Sequence, residues 1–397
     1  MKQYSALVLI SLTSILTACG QSEPQSDGVI TTIANQRVVI RDEAQKKEIC
    51  AKQYCEPNYL ITEAFARRHD PAPTPTPSTG ASPAPTGAPS TGATPAPTGD
   101  TYDYSRTKMN LKEAWEVTEG SPEVVVAIID SGVDLNHPDL KDNLWTNPGE
   151  VNGKANADND GNGYKNDVHG YDFYYGKGDP TDETGHGTHV AGIIAALKNG
   201  FGSIGVAPNV KIMPLRFIGP SGSGSTSDAI DAIDYAIKMG AKVISASWGN
   251  SGYSSYLADA VKRAQDAGII FVAAAGNQGR NTVNSPYYPG SYDGVISVAS
   301  SNQNDKLSSY SNYGSNVTIA APGDQIFSTY LNDGYTTLSG TSMAAPQISG
   351  AVALALSKNQ SLTPEALKAA LCSSADSVLQ GSTQCGRVNV GRLVNSL

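Results

Sequence analysis

Charge is scarce in this sequence: Asp, Glu, Lys and Arg together make up 16% of its 397 residues. That argues against a coiled coil or a solvated helical rod, which need long charged faces. Positive charge is scarcer still, with 28 basic residues against 37 acidic ones and a net charge of -9. Attraction to a phosphate backbone is therefore not a promising theme, and nucleic acid is not an expected partner. Long apolar runs are missing too. The stretch from Ala6 to Ala18 falls short of the roughly 20 apolar residues a membrane-spanning helix needs. A mean hydropathy of -0.27 excludes a polytopic membrane protein. Cysteine is limited to 5 residues. No G-x-S-x-G occurs, which disfavours an α/β-hydrolase. What is present is a glycine- and proline-rich chain long enough for one large domain or two modest ones.

The N-terminus has the layout of a signal peptide over residues 1–18, with Met1-Lys2 ahead of the apolar stretch. It ends Leu16-Thr17-Ala18-Cys19-Gly20, which resembles a bacterial lipobox. On that reading Cys19 is acylated, a lipid membrane is a partner, and the protein is exported to a bacterial cell envelope or secreted after processing. The plainer reading is a signal peptide cut elsewhere. An oxidising compartment permits disulfides, and the other four cysteines form two local couples: Cys50 with Cys55, and Cys372 with Cys385. Free buried thiols are the alternative.

Residues 71–99 are Pro, Thr, Gly, Ser and Ala without charge or large apolar groups. Such a segment cannot bury a core and reads as an extended linker, rising ~3.1 Å per residue if polyproline-like. It divides a short segment (20–70) from a body spanning 101–397. In that body, short apolar runs alternate with helical patterns. The runs are Glu123–Ile129, Val210–Phe217, Lys242–Ser245, Ile269–Ala274 and Val295–Val298. Ile230, Ile233 and Ile237 share one helix face before Gly240; Leu257, Val261 and Ala264 share another before Gly268. The alternation predicts an α/β fold of three layers, a mostly parallel sheet with helices on both faces. Functional groups in such folds gather at the carboxyl ends of strands and at nearby helix N-termini.

Four residues stand at such places. Asp130 ends an apolar strand in AIIDSGVD; His186 opens a helical pattern in TGHGTHVAG; Asn277 follows the strand IIFVAAAG; Ser342 precedes an apolar helical run in SGTSMAAP. A nucleophilic serine needs a base, a group to orient the base, and donors for the oxyanion. A serine at a helix N-terminus brings an unpaired backbone N–H as one donor, and a side-chain amide can supply another. The chain order is Asp, His, Ser, which excludes the His, Asp, Ser order of chymotrypsin-like enzymes.

The four blocks, in this order and spacing, resemble the signatures of subtilisin-like serine proteases over roughly residues 105–390. The resemblance implies a serine endopeptidase acting on polypeptides: Ser342 the nucleophile, His186 the general base and acid, Asp130 the orienting carboxylate. Asn277 and the Ser342 N–H would form the oxyanion hole. A substrate would add as a strand between Ser247-Trp248-Gly249 and Gly222-Ser223-Gly224. Ala273, Ala274 and Ala275 would line the primary specificity pocket, favouring uncharged apolar side chains. His137, His169 and His189 read as packing histidines, and Asp134 as a turn residue.

Calcium is the expected ion. Asp158, Asp160, Asn162 and Asp167, interleaved with glycines, make an oxygen-rich loop, although His169 stands where an EF-hand needs a bidentate Glu. A second site comes from the resemblance alone: Asp139 in HPDL, Asn199, and carbonyls between Leu197 and Ser203. Relatives usually carry a longer inhibitory prosegment than residues 20–70 provide. Glu56-Pro57-Asn58-Tyr59 resembles its closing stretch, and cleavage between Tyr59 and Asp103 would free the body from its anchor. Nothing requires more than a monomer. Competing readings are a binding protein on a disabled protease scaffold, against which the intact residues count, and an esterase or amidase using the same triad.

Overall fold

A computed structural model describes residues 29–33, 36–40, 60–63 and 94–397. Cys19, Cys50 and Cys55, the signal peptide and the stretch Glu56–Tyr59 lie outside the described residues. Near the N-terminus β1 (Val29–Ile33) and β2 (Gln36–Ile40) pair antiparallel, with Ile33 opposite Gln36, and β3 (Leu60–Glu63) follows. Helices α1 (Tyr104–Lys108) and α2 (Leu111–Trp115) lead into β4 (Val125–Asp130). Next come β5 (Tyr171–Asp172), α3 (His186–Ala195), β6 (Lys211–Arg216), β7 (Ser223–Ser225) and α4 (Thr226–Lys238). The chain continues through β8 (Val243–Ala246), β9 (Trp248–Gly249), α5 (Ser255–Asp266), β10 (Ile270–Ala274), β11 (Ile296–Ser301) and β12 (Ile319–Pro322). A hairpin of β13 (Ile326–Tyr330) and β14 (Gly334–Leu338) precedes α6 (Thr341–Lys358), α7 (Pro364–Ser374) and α8 (Val390–Asn395).

Seven strands form the central sheet in the order β12-β11-β10-β8-β4-β6-β5, every neighbouring pair parallel. Strand side chains alternate between faces. In β4, Val126 and Ile128 enter one apolar cluster while Ala127 and Ile129 enter the other. In β10, Ile270, Val272 and Ala274 face the first, and Phe271 and Ala273 the second. Both faces are buried, so the strands read as continuous apolar runs rather than as an alternation. Helices α3 and α6 cover the first face; α4 and α5 cover the second. Helix α6 is buried around its whole circumference from Thr341 to Leu356, matching the absence of any charged residue before Lys358. Cys372 and Cys385 form a disulfide at the C-terminal end.

The end of the Pro/Thr/Gly-rich stretch is held against the body rather than extended into solvent. Thr94 and Tyr335 exchange backbone hydrogen bonds (3.0 and 3.1 Å), Gly202 N donates to Pro97 O (3.1 Å), and Thr101 N donates to Gly202 O (2.9 Å). Composition marked this segment as unable to build a core, yet its backbone groups still pair with a loop and a hairpin that present theirs. No helix among the described residues is long and apolar enough to cross a membrane.

Candidate active site

Asp130 is the last residue of β4, at the carboxyl end of the sheet. His186 opens α3, and the two meet there: His186 Nδ1 donates to Asp130 Oδ1 at 2.6 Å, both side chains fully buried. Burial opposes charge on the imidazole, but Asp130, and behind it Glu63, outweigh burial and pull its pKa up to about 9. The start of α3 is fixed by a carboxylate that sequence reasoning missed. Asp182 accepts from Thr184 N, Gly185 N and Ser131 Oγ through Oδ1, and from Thr188 N and Oγ1 through Oδ2. It serves as the cap that Gly185, with no side chain, cannot supply. Ser131 Oγ in turn accepts from Gly187 N, which ties the helix to the residue after Asp130. The sequence signal was an Asp three residues ahead of Gly185, unremarkable until its partners are seen.

Ser342 lies inside the first turn of α6, which starts about two turns ahead of the apolar run Ile348–Leu356. Its Oγ donates to Ser247 O at 2.8 Å, and Ser247 Oγ donates back to Ser342 O at 2.9 Å. Asn277, beyond β10, accepts from Thr341 N (2.9 Å) and Thr341 Oγ1 (3.0 Å) through Oδ1. A backbone N–H can only donate, so the amide oxygen is fixed on the helix and the NH₂ is turned away from it.

Ser247-Trp248-Gly249 and Gly222-Ser223-Gly224 are set on opposite sides of the chain's own β3, which lies between them. The small sheet has the order β7-β3-β9, both pairs antiparallel. Ile61 faces Gly224, Thr62 faces Ser223 and Gly249, and Glu63 faces Trp248. Ile61 is fully buried in the cluster holding Phe217, Trp248, Ala229 and Leu257, whereas Leu60 is 66% exposed. Glu63 Oε1 accepts from Thr184 Oγ1 at 3.1 Å. The stretch Glu56–Tyr59 to which the sequence pointed lies outside the described residues, and the four residues that follow it are seated.

The Subtilase family pattern matches residues 121–390. The chain belongs to the subtilase family. It is 41% identical over 294 residues to thermitase of Thermoactinomyces vulgaris, covering 73% of this chain and 95% of that one. It is 36% identical over 340 residues to a thermophilic serine proteinase of Bacillus sp. (strain AK1), covering 85% of this chain and 71% of the relative. Among solved structures, a cold adapted subtilisin-like serine proteinase superposes with a TM-score of 0.58 at 34% identity, covering 68% of this chain and 89% of that one. This subtilase is a subtilisin-like serine endopeptidase, with the three-layer α/β fold expected of one.

The remaining sequence candidates sort by geometry. Ala273, Ala274 and Ala275 are all buried, and the first two side chains enter opposite core clusters. His189 packs its Nε2 against the carbonyls of Ile326 and Thr336, and burial lowers its pKa to about 3, as befits a packing histidine. His137 Nδ1 accepts from Asp139 N, and Asp134 accepts from Asn136 N and Asn332 N.

Of the two oxygen-rich loops, the first brings Asp158, Asp160, Asn162 and Asp167 together and adds Asn147 and Glu150, which sequence reasoning missed. Asn147 Nδ2 and Asn162 Nδ2 each donate to Asp160 Oδ2 and Asp167 Oδ2. Carboxylate oxygens of Glu150, Asp158 and Asp160 lie within 4.8 Å of one another. Asp167 Oδ1 is buried with no hydrogen-bond partner among the described residues. A buried carboxylate oxygen left so, beside a converging acidic cluster, suits a hard cation. At the second loop, Asp139 accepts from Asn199 Nδ2 (2.9 Å), Ser203 N (3.0 Å) and Tyr335 OH (2.8 Å), and Asp100 reaches the loop through Gly200 N (3.0 Å). Asp139 and Asn199 do meet, but the amide presents nitrogen where a cation needs oxygen.

Proposed function

We propose that this subtilase hydrolyses peptide bonds with Ser342 as nucleophile, His186 as general base and then acid, and Asp130 as the group that orients and stabilises the imidazolium. The buried 2.6 Å contact between His186 and Asp130 carries this reading. Ser342 Oγ, now donating to Ser247 O, would turn about its Cα–Cβ bond and attack the substrate carbonyl carbon, its proton passing to His186 Nε2. The C–N bond then breaks as the imidazolium protonates the leaving amine, and water hydrolyses the acyl-enzyme by the same route. The Asn277 NH₂ and the Ser342 N–H would hold the oxyanion.

The three-stranded arrangement with β3 in the middle supports Ser247, Trp248, Gly249, Gly222, Ser223 and Gly224 as the strands that receive substrate. It also supports residues 20–70 as a self-inhibiting prosegment. Ala273–Ala275 would contribute backbone and small side chains to a pocket for uncharged residues. We assign calcium to the loop of Asp158, Asp160, Asn162 and Asp167, with Asn147 and Glu150. Its converging carboxylates and orphaned Asp167 oxygen favour it over Asp139 and Asn199; Asn147 and Asn162, like Asn199, would turn their amides over to present oxygen. When bound, the ion would stabilise the fold and take no part in the chemistry. The N-terminus supports export by a signal peptide and lipid anchoring at Cys19 before processing, acting as a monomer at the cell envelope or beyond it.

Ser342→Ala beside wild type, assayed on casein and a p-nitrophenyl ester and with a fluorophosphonate label, tests the reading. Loss of all three signals is expected. Casein cleavage persisting in the variant would sink the assignment, and ester hydrolysis without casein cleavage would favour an esterase.

A further inference from the structure

Strand β3 delivers an acidic side chain into a part of the groove that is already acidic. One oxygen of Glu63 lies within 4.8 Å of ligating atoms on Asp130 and His186. Thr184, which donates to Glu63, is itself held by Asp182 through its backbone N–H at 2.9 Å. Asp130 at the end of β4, Asp182 in the loop before α3 and His186 in α3 are the charged groups acting on Glu63. The flanking strands β7 and β9 contribute only Ser, Gly and Trp. Two carboxylates against one imidazole make a costly place for a third negative charge at a half-buried position. The site nevertheless has room for the head group. Gly222 has φ +73°, and the nearest atom to a Cβ built on it is Glu63 Oε2, at 3.6 Å.

We propose that the pocket formed by Thr184, Gly222 and His186 takes an acidic side chain with its proton on, so that the chain's own β3 is held at acid pH and let go as the pH rises. The proposal rests on the peptidase reading in one respect, that this groove is where substrate lies. Burial raises the Glu63 pKa to about 7, with Asp130 and Asp182 adding to the rise and His186 opposing it. A carboxyl group released into water titrates near its ordinary value, about 4.3. The seated state therefore binds this proton more tightly than the released state does. Seating is fully favoured below the released value and is lost as pH climbs through the seated one. Between pH 5 and 7 the hold should weaken about 40-fold in all, the slope flattening toward each end. A substrate carrying Glu at this position would follow the same rule, whereas one carrying Gln would not.

Hydrogen exchange on the full-length Ser342→Ala chain, which cannot cut itself, tests the proposal. Protection of the amides at 61–63, corrected for intrinsic exchange, should fall about 40-fold from pH 5 to 7. The same amides in Ser342→Ala with Glu63→Gln should show a flat profile. Matching profiles in the two chains, or no protection at any pH, would overturn it. A second measurement needs no change at residue 63: the ¹³C titration of the Glu63 carboxyl, expected near pH 7, with a midpoint near 4.5 counting against the idea. Fluorophosphonate labelling of the wild-type chain reports on Ser342 separately. Intact labelling with failed exchange results removes the pH role and leaves the peptidase reading standing, and the converse result removes only the latter.

Discussion

Asn277 shows how one side chain can be oriented by the helix that carries the nucleophile. Thr341 donates to its oxygen twice, from the residue next to Ser342. Asn277→Ala should therefore lower kcat by about 10² to 10³ with little change in KM, a magnitude taken from subtilisin's own oxyanion asparagine rather than derived from this chain. An unchanged kcat would remove Asn277 from the oxyanion hole. The pH profile belongs to His186. An imidazole holding its proton cannot accept another, so kcat/KM should rise with pH as His186 deprotonates. Because Asp130 raises that pKa, the acid limb should lie above the ordinary histidine value of about 6.5. A limb at or below 6.5 in the processed enzyme would mean that Asp130 does not support the charge. Asp130, His186, Asn277 and Ser342 were legible because each sits at a strand end or helix start within a run of small residues. Asp182, Ser131 and Glu63 were not, because their roles exist only in contacts between segments far apart in the chain. Asn199 does meet Asp139, but its amide orientation could not be read from composition.

Elements put these residues in place, and α3 is the most constrained of them. A Cβ built on Gly187 would stand 2.0 Å from Gly132 O, backbone against backbone. Gly187→Ala must push the first turn of α3 off β4's end, moving His186 with it. The expected outcome is a 10²-fold or larger loss of kcat, from misplacement of order 1 Å, together with a lower Tm. Wild-type kinetics in that variant would show that the turn has slack. The acidic loop around Asp167 gives a second test at this scale. If calcium is present at about 100 times its Kd, chelation should remove about 2.7 kcal/mol and lower Tm by several degrees. The Asp167→Asn variant should be nearly insensitive to chelator, and equal sensitivity in both would place the ion elsewhere. Strands β4, β6, β8, β10 and β11 were legible within one to three residues, since burial on both faces writes itself as an apolar run. Strand β12 was missed because Ile-Ala-Ala-Pro is too short and small to stand out. Strand β5 and the β13–β14 hairpin were missed because two residues, or a run of Ser, Thr and Tyr, carry little apolar pattern.

At the scale of the whole molecule, the chain is pinned on both sides of its Pro/Thr/Gly-rich stretch. Strand β3 is seated in the groove up to Glu63, and from Thr94 onward the backbone is tied to Tyr335, Phe201 and Ser203. Composition suggested a short N-terminal segment, a spacer and a large body, but could not show that the end of the Pro/Thr/Gly-rich stretch pairs with that body. That depends on which backbone groups of the body are waiting for partners. Arg106 continues the attachment, fully buried with Nη2 donating to Ile204 O at 2.6 Å. Cleavage within 64–93 would therefore leave both attachments intact: a seated inhibitor strand on one side and a docked N-terminal arm on the other. Cleavage beyond Asp103 would strip the arm from the loop holding Asp139 and Asn199 and lower stability. The mature N-terminus should accordingly fall within residues 64–93, narrowing the wider window from Tyr59 to Asp103. Terminal sequencing of active protein in membrane and soluble fractions checks this. A soluble active form beginning within 64–93 is the expected result. Active membrane-bound protein retaining Cys19 would refute release, and an active form beginning beyond Asp103 would show that the arm is dispensable.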